Sequence, residues 1–95
     1  MADFNKLYET YTTTQASSVQ TDVPSILSPY QQLFDINISE EAITLGKETT
    51  LLNTIPRKNI CAIIDGSDEI YIILHASIYV LNKTTGKVNI NIRNL

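Results

Sequence analysis

The fold is decided by residues 59–93, which read NICAIIDGSDEIYIILHASIYVLNKTTGKVNINIR. Apolar runs in this stretch end at short clusters of Asp, Gly, Ser, Asn and Thr, the residue types that favour turns. Residues 59–64 and 70–74 are apolar on both faces, which is typical of strands inside a sheet. Residues 88–92 alternate Val or Ile with Asn, which predicts a strand with one face in water. The whole stretch predicts a three-stranded antiparallel meander.

The last hairpin of this stretch has the clearest turn chemistry. Residues 78–81 and 88–92 flank the loop NKTTGK (82–87), in which Gly86 is expected to take the left-handed conformation of a bulged hairpin. Residues 78–90 resemble the hairpin found in the blades of repeat β-propellers. A propeller needs several blades and this chain holds at most one, so the resemblance implies no function.

Short extended segments precede the meander. Residues 36–38 and 42–45 predict two strands with a turn between them, and the apolar residues of 51–55 indicate a further segment, extended or helical, that Pro56 ends. Joined to the meander, these segments predict a β domain of about four to five strands over residues 36–95, either an open sheet or a small barrel or sandwich. The residues expected to form its core are Ile60, Ile63 or Ile64, Ile70, Ile72, Leu74, Ile78, Val80, Val88, Ile90 and Ile92.

The beginning of the chain predicts a short amphipathic helix. Phe4, Leu7, Tyr8 and Tyr11 recur at the spacing of one helix face, and Asp3 precedes them as a candidate cap. A helix this short is marginal in water, so its apolar stripe must dock on another surface. These four apolar residues are therefore the candidate protein-interaction residues of the chain.

A polar arm is expected to follow this helix. Residues 12–22 are rich in Ser and Thr and nearly without large apolar side chains, which indicates an extended arm or linker. Pro24 disfavours helical backbone at the residue before it, so Val23 is expected to be extended. The Ser-Pro pair at 28–29 and the apolar residues of 30–34 predict one or two helical turns, with an extended connection as the alternative. The chain is thus predicted to be α+β and mainly β, with a helical and extended segment at 1–35 and a β domain at 36–95.

No set of residues in the sequence indicates catalysis. The single cysteine, Cys61, lies in an apolar run and is expected to be buried. The single histidine, His75, has no catalytic partner that sequence spacing can place against it. The acidic turn 65–69 lacks the ligand spacing of a calcium loop, and the basic pair 57–58 is expected to be exposed. The sequence therefore predicts no enzyme, no cofactor, no metal site and no small-molecule substrate.

The charge of the chain argues against nucleic acid as a partner. The net charge is −3; six acidic residues face two lysines in residues 1–47, and four acidic residues face five basic residues in 48–95. Binding to a phosphate backbone depends on cationic contacts, which an acidic chain supplies poorly. The first residues lack the pattern of a signal peptide, and no apolar run is long enough for a membrane span. We expect synthesis in the cytoplasm, with no membrane partner and with a virion as one destination.

The favoured functional hypothesis is a non-catalytic structural or assembly subunit whose N-terminal arm docks on neighbouring subunits. A capsid accessory or connector protein of a virion is the example, and the partners are protein subunits in a homo-oligomer or larger assembly. Residues 12–22 extend to about 35 Å, farther than a return to such a small domain requires, which favours docking in trans. The alternative is a small acidic inhibitor or adaptor protein that binds one protein partner through its acidic N-terminal half.

Overall fold

The computed structural model describes residues 3–13, 17–46 and 53–94. The helices are α1 (Phe4–Tyr11) and α2 (Val19–Leu27), and 3₁₀ turns span Ser28–Tyr30 and Arg57–Asn59. The strands are β1 (Ile36–Ile38), β2 (Ala42–Leu45), β3 (Thr54–Pro56), β4 (Ala62–Asp65), β5 (Glu69–Ile73), β6 (Ser77–Asn82) and β7 (Val88–Ile92). The predicted α+β class, mainly β, is confirmed.

The strands form two open antiparallel sheets. β1, β2 and β3 lie side by side in that order, and β4, β5, β6 and β7 form a meander in chain order. The described residues hold seven strands, four of them in the meander, whereas the sequence predicts four to five in all. The difference has two sources: the meander has four strands where the sequence predicts three, and β3 pairs with β2, with Ile55 opposite Ile43, so that three strands form a separate sheet. Of the segment predicted at 51–55, residues 51 and 52 lie outside the described residues.

The four-stranded sheet is covered on both faces. Directly opposed residues of neighbouring strands lie on the same face, so the pairs Ile72–Tyr79 and Ile73–Ile78 mark its two sides. Ile72 and Tyr79 pack with α2 and the three-stranded sheet, on the α2 face. Ile73 and Ile78 pack with α1, on the α1 face. The central strands β5 and β6 are therefore apolar on both sides because each side is in contact with another layer.

Helix α2 corrects the prediction of an extended arm for residues 19–22 and the prediction of an extended Val23, whereas residues 14–16 of the predicted arm lie outside the described residues. Val19, Val23 and Leu27 are all buried in the core of the α2 face. They recur every four residues, which is the spacing of one helix face and the signal that was available in the sequence. A segment that was predicted to be an extended arm is thus a helix, and it shares one core with the strands.

Pro24 is accommodated inside α2 because another residue replaces the hydrogen bond that proline cannot make. Proline has no N–H to donate to the carbonyl four residues earlier, which here belongs to Gln20. Arg57 donates instead, from Nη2 to Gln20 O at 2.5 Å, and it donates from Nη1 to Ser39 O at 2.8 Å. Gln20 Nε2 donates in return to Arg57 O at 2.9 Å. Arg57 therefore braces α2 against the three-stranded sheet, across 37 residues of sequence.

The β6–β7 hairpin has the predicted bulged loop. Gly86 has a φ of 76°, and its N–H donates to Asn82 O at 2.8 Å. A Cβ at Gly86 would lie 2.4 Å from the ring of Phe34, so the glycine also makes room for that ring. Phe34 stacks on Tyr30, with ring centroids 5.9 Å apart. Of the one or two helical turns predicted over 28–34, the structure has one 3₁₀ turn. The rings of Tyr30 and Phe34 cover the loop end of the α2 face.

Strand β7 departs from the predicted core. Val88 is half-buried, but Ile90 is 36% exposed and Ile92 is 72% exposed. The alternation predicts the shared face correctly, since Ile90 lies opposite Tyr79, but the cover on the α2 face does not reach the end of β7. Of the other predicted core residues, Ile60, Ile70, Ile72, Ile78 and Val80 are buried, and Ile63, Ile64 and Leu74 are half-buried.

We expect Arg57→Ala to lower the free energy of unfolding by about 1–2 kcal/mol, because it removes the donor to Gln20 O. The matched background is Pro24→Ala, in which the new N–H donates to Gln20 O and the helix no longer needs Arg57. Arg57→Ala should therefore lower the free energy of unfolding by less in the Pro24→Ala background than in the wild type. Denaturant melts of the wild type, the two single variants and the double variant measure this coupling. An equal loss of free energy of unfolding in both backgrounds would contradict the role of Arg57 in replacing the missing hydrogen bond of Pro24.

Ile72→Ala should lower the free energy of unfolding by about 2–5 kcal/mol, because Ile72 is fully buried and its truncation leaves a cavity. The control is Leu33→Ala, which truncates a side chain that is 67% exposed and should cost less than about 0.5 kcal/mol. Urea unfolding followed by circular dichroism provides both values. Similar losses at the two positions would show that Ile72 is not at the centre of the core.

Candidate functional site

The four candidate interaction residues lie on the α1 face of the chain's own sheet. Tyr8 is 1% exposed, and Phe4, Leu7 and Tyr11 are half-buried beside it. All four pack against apolar side chains of β4, β5 and β6. The stripe therefore docks in cis, which corrects the expectation of docking in trans. The reason is that the α1 face offers an apolar surface to a helix that cannot persist alone. A role of these residues in contacts with another molecule stays a prediction.

Tyr8 ties α1 to the edge strand β7. Its hydroxyl donates to Asn91, whose backbone O lies at 2.9 Å and whose Oδ1 lies at 3.0 Å. The guanidinium carbon of Arg93 lies 5.0 Å from the centre of the Tyr8 ring, within range of a cation–π interaction. Arg93 Nη1 donates to Thr12 Oγ1 at 3.3 Å and to His75 O at 3.1 Å. Burial raises the pKa of Tyr8, and the charge of Arg93 opposes this rise.

The single cysteine and the single histidine of the chain differ in exposure: Cys61 is buried and His75 is exposed. Cys61 is 2% exposed, as predicted, and burial raises the pKa of its thiol, which lowers the fraction of reactive thiolate. His75 is exposed in the turn between β5 and β6, and it contributes its carbonyl, not its imidazole, to the contact with Arg93.

Lys83 joins the acidic turn 65–69 to the β6–β7 loop. The side-chain Nζ of Lys83 donates to Gly66 O and forms an ion pair with Asp65. The backbone N–H of Lys83 donates to Asp68 O at 2.9 Å. The hydrogen bond with Asp65 raises the pKa of Lys83. An ammonium group thus supplies positive charge to this turn. Within the part of the chain that the structure describes, no group of three or more His, Cys, Asp or Glu side chains is placed to hold a metal ion.

A broad surface groove of about 1000 Å³ lies between the start of α2 and the adjoining ends of β2 and β3. Its walls include Glu40, Glu41, Arg57 and Lys58, which carry opposite charges. Arg57 is half-buried and directs its guanidinium to backbone carbonyls, so the predicted exposed basic pair is reduced to Lys58. The groove therefore offers no convergent set of charges for one class of ligand.

The outer side of β7 is an open sheet edge. Asn82 N–H donates to Lys87 O, and Arg93 N–H donates to Ala76 O, each at 2.9 Å, so the odd-numbered residues point their backbone groups toward β6. Successive residues of an antiparallel strand alternate in this direction. The N–H and C=O groups of residues 88, 90 and 92 therefore point outward, where no strand among the described residues pairs with them. Ile90 and Ile92 present exposed side chains along the same edge.

The three other sheet edges are short or covered. β1 and β3 have three residues each, and β3 ends in Pro56, which has no N–H to donate. β4 lies against α2, and the end of α1 lies nearby, since Tyr11 and Asp22 line a small cavity of about 210 Å³ beside Ala62. β7 has five residues and neither proline nor charge among them. It differs from the other edges in being both long and unprotected.

Comparison with protein-family models, with curated proteins and with solved structures gives no match. None of the described helices is long and apolar enough to cross a membrane. The surface that stands out on physical grounds is therefore the β7 edge, which sequence reasoning missed. The available signal was the alternation of apolar residues and Asn over 88–92. Its apolar residues were predicted to lie in the core, because the sequence of a strand does not show whether the strand lies at the edge or in the middle of its sheet.

Raising the pH should loosen the docking of α1 through Tyr8. Because its pKa is higher in the folded protein than in the unfolded chain, its contribution to stability is complete below about pH 10 and is lost as the pH rises through the folded value. Thermal melts between about pH 8 and about pH 11 should show a falling melting temperature. Tyr8→Phe should cost about 0.5–1.5 kcal/mol at neutral pH and give a shallower fall. An equally steep fall in both proteins would contradict this role of Tyr8.

Proposed function

We propose that this chain is a non-catalytic assembly subunit that joins protein subunits through the outer edge of β7. The observation that carries the proposal is an open edge on which unpaired backbone groups and exposed apolar side chains lie together. A strand with unpaired N–H and C=O groups is a template for another strand, which adds to the sheet by main-chain hydrogen bonds.

The contrast with the other edges supports this role. Natural sheets discourage unwanted pairing with short edge strands, with proline or lysine on the edge, or with a covering element. This chain has three-residue strands at β1 and β3, a proline in β3, and α2 beside β4. β7 has none of these features between Val88 and Ile92. A chain that protects three edges and leaves the longest one open fits a subunit whose fourth edge is used.

Pairing at this edge would also remove apolar surface from water. Full burial of an isoleucine side chain contributes about 1.5–3 kcal/mol, and Ile92 and Ile90 keep 72% and 36% of their surface exposed. The backbone bonds would contribute less free energy but would fix the direction of the partner. Both contributions come from Val88, Ile90 and Ile92, so β7 acts as one contact unit.

In this proposal the surface that contacts another chain is the outer edge of β7 and not the apolar stripe of α1, because α1 is already docked in cis. A capsid accessory or connector protein remains the example of such a subunit, since its work is done by contacts between chains. The competing role is a small acidic adaptor that pairs β7 with a strand of one foreign protein. An adaptor of that kind would be a monomer when alone, whereas an assembly subunit would not.

We expect the purified protein to have a solution mass above the 10.6 kDa of one chain, and the mass should rise with concentration. Ile92→Lys should return it to the mass of one chain, because lysine on an edge strand blocks pairing. Leu33→Lys is the control, since it places the same charge on another exposed apolar residue, in a turn, and should keep the wild-type mass. Light scattering after size-exclusion chromatography compares the three.

Two results of this comparison would count against the proposal. A wild-type protein with the mass of one chain at every concentration would favour the adaptor role. An Ile92→Lys protein that keeps the wild-type mass would show that the chains meet at a surface other than β7.

A further inference from the structure

We propose that the occupant of the β7 edge is β7 of a second copy of this chain, antiparallel and centred on Asn91, so that two four-stranded sheets join into one sheet of eight strands. This inference rests on the proposed function. It adds the identity of the partner, the direction of pairing and the register.

The backbone limits how two β7 strands can pair. Hydrogen bonds across the joint require outward-pointing residues of one copy to lie opposite outward-pointing residues of the other. The outward-pointing residues are Val88, Ile90 and Ile92. Antiparallel pairs that meet this condition, with their centre inside the strand, are centred on Asn89, Ile90 or Asn91.

Side chains disfavour two of these three registers. A pair centred on Ile90 places Lys87 directly opposite the partner's Arg93, and like charges at opposed positions are destabilising. A pair centred on Asn89 places Ile92, the most exposed apolar side chain of the strand, opposite a glycine of the partner. That register leaves most of the exposed apolar surface uncovered.

The register centred on Asn91 satisfies both requirements. Ile90 lies opposite the partner's Ile92, and by symmetry this apolar pair occurs twice on the α2 face. Arg93 lies opposite the partner's Asn89, so no like charges are opposed. The two Arg93 residues are separated by four positions along the strands, which is about 13 Å. Asn91 lies opposite its own copy at the centre of the joint.

A second copy is favoured over a foreign strand because β7 is complementary to itself. On the α2 face Ile90 meets Ile92 and Val88 lies opposite the uncharged Asn94, and on the other face Asn residues meet Asn or Arg. A two-fold axis through Asn91 uses the one open edge among the described strands of each chain, since the edges at β1, β3 and β4 are short or covered. Pairing therefore closes at two copies and does not continue into a fibre.

Helix α1 supports this joint from the opposite face. The Tyr8 hydroxyl holds Asn91, which is the residue on the proposed axis, and Arg93 is held against the Tyr8 ring and the His75 carbonyl. The end of β7 is thereby kept ordered before any partner arrives, which lowers the entropic cost of adding a strand. Docking of α1 in cis and pairing of β7 in trans are thus compatible.

Disulfide trapping tests the register. Opposed Cα atoms of a hydrogen-bonded antiparallel pair lie about 5.5 Å apart, which a disulfide can span. A mixture of Ile90→Cys and Ile92→Cys proteins, oxidised with diamide, should give covalent dimers with one chain of each variant. Neither variant alone should do so, because like positions are then diagonal neighbours about 7–8 Å apart. The wild type, whose Cys61 is buried, is the thiol control.

Hydrogen exchange of the wild type gives a measurement without any variant. The amides of Ile90 and Ile92 point outward, so their protection should rise with protein concentration. The amides of Asn89 and Asn91 point to β6 and should be protected at every concentration. Protection of all four that is independent of concentration would overturn the pairing of two copies.

The outcomes separate this inference from the proposed function. Covalent dimers of Ile90→Cys alone would overturn the register centred on Asn91. A solution mass of three or more chains, abolished by Ile92→Lys, would overturn the closed pair and leave assembly through β7 intact. A mass of one chain at every concentration would overturn both. A mass of two chains with cross-links only in the mixture supports both.

Discussion

Strands β5 and β6 carry apolar side chains on both faces, and a sheet of that kind is stable only when both faces are covered. The α2 face is covered by α2 and the three-stranded sheet, and the α1 face is covered by α1. None of these covers could persist alone, because α1 has eight residues and the strands of the small sheet have three or four. The central sheet and its covers therefore stabilise one another, and the order of the layers follows from this mutual dependence.

Local chemistry in the sequence was sufficient for part of this arrangement. The turn residues between the apolar runs predict the meander, and the left-handed Gly86 is confirmed because that conformation is a property of the residue and its loop. The apolar character of residues 70–74 on both faces correctly predicts a central strand. The stripe of α1 is likewise confirmed as a helix face that must dock, with Tyr8 as its most buried member.

The remaining features depend on contacts between residues far apart in the chain. Proline inside a helix normally breaks it, and Pro24 is accommodated in α2 because Arg57, 33 positions later, donates to the carbonyl that proline leaves free. The sequence spacing of α1 does not reveal whether its target is the same chain or another. The burial of Ile92 depends on how far the three-stranded sheet extends, and that distance is not encoded in the alternation of β7. Sequence patterns therefore predicted α1, the meander and their apolar sides, but they did not predict α2 or where each cover ends.

The hydrogen bond between Tyr8 and Asn91 also bears on the order in which the chain is made. Tyr8 is synthesised 83 residues before its acceptor, so α1 leaves the ribosome before its docking surface is complete. Until β7 has been translated and has paired with β6, α1 can contact the apolar surface of β4, β5 and β6, but the Tyr8 hydroxyl has no acceptor in Asn91. A chain that stops short of β7 therefore holds α1 more weakly, and each local opening of α1 exposes its apolar stripe to chaperones and proteases. The hydrogen bond that completes the docking of α1 thus forms only after translation has reached β7.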